Sequence, residues 1–584
     1  MRQHADFLLV MWCTVLMACL FGCAIETQQE EQQEMANKKN QYAGGEMPLQ
    51  HGMQLFNQYC ASCHNFSENG IGPNLSGVTT EVDKEWLMNF IQNPVAVIES
   101  GDERAVALFE KYKQYMPPFP MIQGEELEHI LAFIHKFSEG EKRNKNNRTG
   151  GLINPIEEKI PISLLTLVLE AYLIVPRSSE VPPFTRINKM APMSSSRTFL
   201  HDLRGKLYEI HPDRSLSIYL DLPEHLPDFI DNPGKGTGFG SWAFHPDFEK
   251  NGLFYTTHNE APGSATADFP IPDSVLITVQ AVLSEWKISD PNAPVFSGSR
   301  RELLRADMVS AGHGFQELTF NPLAKAGEKE YGMLYLGIGD GGSVLRNYSF
   351  LSNSTATIWG SVIRIDPAGN DSNNGNYGIP IDNPFVNESS ALGEIWVHGF
   401  RNPHRISWDE TGSGIMLITN IGQHSVEEVN LGIAGADYGW PYREGTFLYD
   451  ANANPELVYP LPASDTGYTY PVIQYDHDEG SAVSGGFVYA GTNIPQLKGK
   501  YIFGDISLGT LFYTEVSDII SGQQAPIYRL NVSLNGQLTD MATITDTRRV
   551  DLRLGTDQEG ELYLMTKGNG GVYKVIGCHS KRPG

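Results

Sequence analysis

Cysteine is scarce: six residues in 584, at positions 13, 19, 23, 60, 63 and 578, which excludes a disulfide-built scaffold at this length. Positive charge is also short. Lys plus Arg number 43 against 69 Asp plus Glu, and the formal net charge of −26 argues against nucleic acid or an anionic membrane surface as the main partner. Long apolar runs are missing except near the start, from Phe7 to Phe21, and that run is short for a membrane span. Glycine (58) and proline (35) supply many turns, but without the period of a collagen-like chain. What is present is length and apolar content: with 41% hydrophobic residues the chain can bury a large core and build two or three domains.

Arg2 and His4 precede the apolar run, and an almost wholly polar stretch, Glu26 to Asn40, follows it. That order reads as a secretory signal rather than a core helix. Leu20-Phe21-Gly22-Cys23 resembles the lipobox of bacterial lipoproteins, so residues 1–23 are read as a lipoprotein-type signal with Cys23 lipidated. An ordinary cleaved signal is the alternative. Both imply export to a bacterial periplasm or cell envelope, the first with a lipid anchor in the membrane.

Cys60-Ala61-Ser62-Cys63-His64 is the C-x-x-C-H pattern of covalent c-type haem attachment. Two thiols on one helical turn reach the two vinyl groups, and the adjacent His64 reaches the iron. No second cysteine pair completes a zinc site, and nothing nearby reads as a thioredoxin βαβ unit. Gly52-Met53-Gln54-Leu55-Phe56 before the motif, Gly72-Pro73-Asn74-Leu75 after it and Tyr115-Met116-Pro117-Pro118-Phe119 further on resemble class I cytochromes c. The resemblance implies a small all-α domain over residues 45–138 with one haem c, and Met116 as the second iron ligand; Met121 is the alternative. Leu127, Ile130, Leu131 and Ile134 have the spacing of one buried helix face. Residues 139–155 read as a flexible, polar linker.

From residue 156 to 577 short strands and Gly/Asn/Asp turns take over. A glycine followed by an apolar-aromatic strand recurs six times, beginning at Gly205, Gly252, Gly332, Gly414, Gly499 and Gly560. Six such units over this length predict an all-β, six-bladed β-propeller with long loops. Four of those loops carry candidate chemistry. They are Ala311-Gly312-His313-Gly314-Phe315, the Asp340 turn, His398-Gly399-Phe400-Arg401-Asn402-Pro403, and Asn420 to Asn430 running on to Asp437-Tyr438-Gly439-Trp440-Pro441.

At these loops the chain resembles the soluble, pyrroloquinoline-quinone-dependent glucose/sorbosone dehydrogenases, which are six-bladed propellers. The resemblance implies that His313 is the general base on a sugar hydroxyl and that Asp340 orients it. Arg401 stabilises charge on the reduced quinone, Asn402 holds the cofactor, and the Gly422 and Gln423 carbonyls with the Glu428 carboxylate bind Ca²⁺. The family's quinone-contacting lysine has no counterpart near Phe503-Gly-Asp-Ile-Ser507, which leaves Arg548, Arg549 and Arg553 as cations for the trianionic quinone. Phe315 and Glu317, beside the proposed base, are expected to reshape the pocket. The whole then reads as a quinohaemoprotein that oxidises an aldose or related alcohol and passes electrons through its haem to a soluble cytochrome or a membrane respiratory acceptor. The alternative is a catalytically inactive, ligand-binding propeller carrying an electron-transfer cytochrome.

Overall fold

The computed structural model describes residues 42–580 apart from 44, 61–63, 65, 67–71, 113–114, 139–147, 194–196, 233, 235, 274, 347, 463, 466 and 548. Cys23, Cys63 and Arg548 therefore lie outside the described residues. Among the described residues no helix is long and apolar enough to cross a membrane.

The N-terminal part is helical, from Glu46–Tyr59 to Glu125–Ser138. These two helices pack on each other, and Gly52 explains how closely: a Cβ there would meet the His129 carbonyl oxygen at 1.9 Å. The apolar stripe of the second helix is the core face that its spacing predicts, since Leu127, Ile130 and Leu131 are fully buried and Ile134 nearly so. Shorter helices complete the layer. Asp83 caps Lys84–Gln92 by accepting from the Glu85 and Trp86 amides, and Pro94 opens Pro94–Glu99 where a missing N–H costs nothing.

The large domain is a ring of six four-stranded blades; four are separate antiparallel meanders in chain order from their innermost strands, and blades 5 and 6 are joined in one nine-stranded sheet. The innermost strands of blades 1 to 6 are Ile187–Pro192, Phe239–Phe244, Phe315–Phe320, Pro403–Trp408, Val483–Val488 and Leu552–Thr556. Blade 6 is completed from the other end of the domain. Ile162–Ile174 pairs antiparallel with Gly571–His579 on one side and parallel with Tyr528–Leu534 of blade 5 on the other, so its backbone groups are satisfied on both edges. Aromatic residues fill the gaps between blades. Phe199, Trp242, Phe254 and Trp286, all within 2% of full burial, form one such layer between blades 1 and 2.

Each of the six glycine-led units falls in a different blade, and all six glycines have positive φ, between 66° and 111°. Five of them open the second strand of their blade; Gly205 opens the third strand of blade 1, Lys206–Ile210. There the first hairpin closes from the Met193 amide to the Arg197 carbonyl without a glycine, so the repeat is displaced by one strand.

The linker is shorter than its composition predicts. Residues from Arg148 onward run along the propeller: Arg148 pairs with Asp450 at 3.1 Å, the Leu152 amide donates to Val458 at 2.8 Å, and the Ile156 amide donates to Asp476 at 2.8 Å. A polar sequence that is solvated in isolation is here held by backbone bonds to a small three-stranded sheet inserted in blade 4.

Candidate active site

In an antiparallel meander the start of the first strand and the end of the second lie side by side, and repetition around the ring puts these points on one face. His313 precedes the innermost strand of blade 3, and Asp340 follows its second strand, Leu334–Ile338. Arg401 and Asn402 precede the innermost strand of blade 4. Gly422 and Gln423 follow its second strand, Met416–Asn420. The four candidate loops thus converge although they span more than a hundred residues of chain.

His313 sits in the left-handed region with φ 50°, between two glycines. Gly339 lies beneath it so closely that a Cβ would meet its carbonyl oxygen at 2.4 Å. Its Nδ1 is 2.8 Å from Asp340 Oδ1, which also accepts from the Gly342 amide at 2.8 Å; Oδ2 accepts from the Trp440 indole N–H at 3.1 Å. An acceptor carboxylate at Nδ1 fixes the proton there and leaves Nε2 with its lone pair free. Burial, then the charge of Arg401, pushes the His313 pKa below the ordinary histidine value, while Asp340 acts the other way. Burial acts upward on Asp340 as well, but the hydrogen bond and charge of His313, with Arg401 and the Gly342 amide, hold it below its usual range.

Arg401 is buried, donates from Nε to Gln423 Oε1 at 2.6 Å and from Nη1 to the Ile421 carbonyl at 3.1 Å, and lies over Trp440. Asn420 Oδ1 receives the amides of Arg401 (3.2 Å) and Asn402 (2.8 Å). The Asn402 side-chain oxygen is buried without a partner, and so is Nε2 of the neighbouring His404. Orphaned polar atoms of this kind suit a ligand with its own donors.

Glu428, which the resemblance places among the calcium ligands, has hydrogen-bond partners of its own in this structure. It lies directly across the strand pair from Asn420 and accepts from Asn420 Nδ2 (3.0 Å), Asn430 Nδ2 (3.1 Å) and the Gly445 amide (2.5 Å). Burial raises its pKa to about 7 against those donors. The spacing in Asn420…Glu428-Val-Asn430 thus serves to brace Asn420, and through it the Arg401–Asn402 backbone. Glu427 instead turns towards Gly422 and His477, and Glu444 accepts the amides of Gln423, His424, Ser425 and Val426. Among the described residues no three His, Cys, Asp or Glu gather as a metal cluster. We expect Glu428→Gln to lower stability by about 1–3 kcal/mol, because the new amide opposes the Gly445 N–H. Unfolding midpoints should not recover in excess Ca²⁺; recovery would restore Glu428 as a ligand.

Of the remaining predicted residues, Arg553 is buried and donates to Asn188 Oδ1 at 2.9 Å, while Arg549 pairs with Asp551 at 2.7 Å and reaches Ser507. Phe315 packs in the blade core. Glu317 lies not at the pocket but down the propeller axis, bound by Lys189 and, at 3.3 Å, by Arg405. Trp440, Asn420, His404 and Lys567 were not singled out by sequence reasoning. Only the Tyr-Gly-Trp-Pro marker signalled one of them, and it carried no hint that the indole holds Asp340.

In the haem domain, His64 Nδ1 donates to the Pro73 carbonyl at 2.9 Å, which directs Nε2 away as the available ligand. Gly72 permits that contact, as a Cβ there would meet the imidazole at 2.4 Å. Cys60 is buried at the end of the first helix. Met116 packs against the domain core, whereas Met121 is 59% exposed. These residues fit a covalent haem with His64 and Met116 on the iron. Met116→Ala should abolish the weak sulfur-to-iron absorption band and lower the midpoint potential with haem still attached; Met121→Ala should leave both unchanged. The opposite pattern would reverse the assignment.

A family model described as Glucose / Sorbosone dehydrogenase matches residues 185–574. The chain belongs to the glucose/sorbosone dehydrogenase family. A second model, Cytochrome C oxidase, cbb3-type, subunit III, matches residues 48–134, so this family member joins the propeller of pyrroloquinoline-quinone-dependent sugar dehydrogenases to an N-terminal cytochrome c domain. It is 30% identical over 359 residues to the HIPL2 protein of Arabidopsis thaliana, covering 54% of this chain and 50% of that protein. It is 30% identical over 202 residues to the aldose sugar dehydrogenase YliI of Escherichia coli strain K12, covering 34% and 47%. Hedgehog-interacting protein of Mus musculus is 25% identical over 401 residues, covering 67% and 50%. The chain spans about half the length of these curated relatives. The solved apo-form of the soluble aldose sugar dehydrogenase from Escherichia coli shares the fold, with a TM-score of 0.51, 18% identity and coverage of 72% of this chain and all of that one.

Proposed function

We propose that this protein oxidises an aldose or related alcohol with pyrroloquinoline quinone and delivers the electrons to its own haem. The observation that supports this most is the His313–Asp340–Trp440 chain, set on the same face as Arg401 and the orphaned Asn402 oxygen in a chain that also carries a cytochrome c domain. Bound quinone supplies the hydride acceptor, and haem a one-electron acceptor.

The chain's own residues do the proton chemistry. Asp340 keeps the His313 proton on Nδ1, so Nε2 is free to take the substrate's hydroxyl proton. Burial, and after it the charge of Arg401, lowers its pKa and so favours the neutral imidazole beforehand. Once His313 is protonated, the Asp340 carboxylate stabilises it, and Trp440 and the Gly342 amide stop that carboxylate from rotating away. Arg401 is the cation placed for negative charge formed nearby. Calcium enters no step here.

Cys23 lipidation would hold the protein at the cell envelope, beside a soluble cytochrome or a membrane respiratory acceptor. One acyl chain is a weak anchor by itself. A second reading, a ligand-binding propeller without redox work, draws on the likeness to Hedgehog-interacting protein. The test that separates them is to add quinone to the purified holocytochrome and follow haem reduction across a panel of aldoses and simple alcohols. Reduction by at least one of them supports the enzyme. A wild type that binds no quinone and is reduced by none supports the binding propeller.

A further inference from the structure

One buried cation on the active-site face takes no part in the arrangement above. Lys567 follows the second strand of blade 6, Leu562–Thr566, opposite Asp551, and is therefore on the same face as His313. It is only 4% exposed, and its ammonium makes no hydrogen bond to any described residue. Its backbone is fixed: the amide donates to the Asp551 carbonyl at 3.4 Å, and its carbonyl accepts from Thr185 Oγ1 at 3.1 Å. A deeply set lysine on a fixed backbone, with no acceptor for its ammonium among the described residues, leaves that ammonium to solvent or to a ligand.

Its surroundings deepen the deficit of negative charge. Arg553, Arg186 and Arg405 are its charged neighbours with Asp551. Arg186 donates only to the backbone carbonyls of Asp231, Gly234 and Thr237, and its Nε is an orphan. Arg553 is held by Asn188 and the Leu552 carbonyl, neither of them charged. Asp551 takes Arg549, and Glu317 takes Lys189 and Arg405. His404, whose Nε2 is unpartnered, feels the charges of Lys567, Arg553 and His313 alike, which ties the cluster to the base. The site thus holds more buried positive charge than it neutralises.

We propose that Lys567 is the residue that binds a carboxylate of the quinone, taking the part of the family's lysine that has no counterpart near Ser507. This rests on the quinone reading above. Ser507 instead turns to Ser481 and Arg549, so the charge lost from blade 5 returns from the next blade. Arg553 stands beside Lys567 as the second cation for the same anion.

The experiment titrates the apo-quinone holocytochrome with pyrroloquinoline quinone and with its trimethyl ester, by protein fluorescence. Lys567→Met should weaken quinone binding about 10- to 100-fold, the scale of one charge-assisted hydrogen bond, and should leave ester binding within a few-fold of wild type. The variant without quinone should also melt higher than wild type, because an amine disfavoured by burial and by the charge of Arg553 has gone. Lys567→Arg should keep most of the affinity. Equal quinone binding by Lys567→Met and wild type would overturn the assignment alone. A lower melting point together with equal loss of quinone and ester binding would show a merely structural lysine. Failure of wild type to bind the quinone would overturn both this and the reading beneath it.

Discussion

His313→Ala should retain its haem and its quinone affinity yet lose substrate oxidation by about 10²–10⁴-fold, or roughly 3–5 kcal/mol of barrier, the usual contribution of a positioned general base. The geometry limits the damage to that step. The side-chain hydrogen bond of His313 is to Asp340 and not to Asn402, Lys567 or Arg553, so the groups proposed to hold the cofactor keep their own hydrogen bonds. Haem reduction by substrate should slow by the same factor, while reduction by a small chemical reductant should not change. The pH profile of the wild type adds a second check. Because burial and Arg401 lower the His313 pKa, its neutral form persists on acidification, and the acid limb of activity should lie below pH 6.5, the ordinary histidine value of about 6.5 marking its upper bound. A variant that oxidises substrate as fast as wild type would mean another base is at work.

Glu317→Ala should cost about 3–5 kcal/mol of propeller stability, the price of leaving buried charge without its partner. Glu317 is 4% exposed, and two cations converge on it: the Lys189 ammonium, which also donates to the Trp242 and Leu318 carbonyls at 2.8 Å, and the Arg405 guanidinium. Arg405 further donates to the His404 and Asn188 carbonyls, at 3.0 and 2.7 Å. One carboxylate therefore ties together residues of blades 1, 2, 3 and 4 at the axis. Burial lowers the pKa of both cations, and Glu317 is what opposes that shift. Glu317→Gln keeps the volume but not the charge and should fall between alanine and wild type. Denaturant unfolding followed by tryptophan fluorescence measures the effect. A loss under about 1 kcal/mol would show that water or a neighbouring group compensates the cations, and the axial cluster would then not be what joins these blades.

The number of blades was legible in the sequence because each blade repeats a local event, a glycine with positive φ that turns into a strand buried on both faces. The displaced copy at Gly205 shows the limit of that reading: a hairpin that closes without glycine leaves no mark. The C-x-x-C-H motif carrying His64 and the helix face from Leu127 to Ile134 were legible for the same reason, since each lies within a few turns of chain. That Met121 is exposed while Met116 packs on the domain core was not legible there.

By itself the sequence determined a C-x-x-C-H motif, six glycine-led strand units and the loops bearing His313, Asp340, Arg401 and Asn402. Tertiary structure alone decided which side chains meet. It turned Glu428 onto Asn420 through a cross-strand pairing, sent Glu317 to the axis, set Trp440 on Asp340 across a hundred residues, and placed the strand Ile162–Ile174 in the last blade. It also brought Lys567 to the face that carries His313. Spacing along a chain reports only neighbours on one strand or turn. Partners assembled by ring closure come from separate blades, and their charges can be counted only once the ring has buried them.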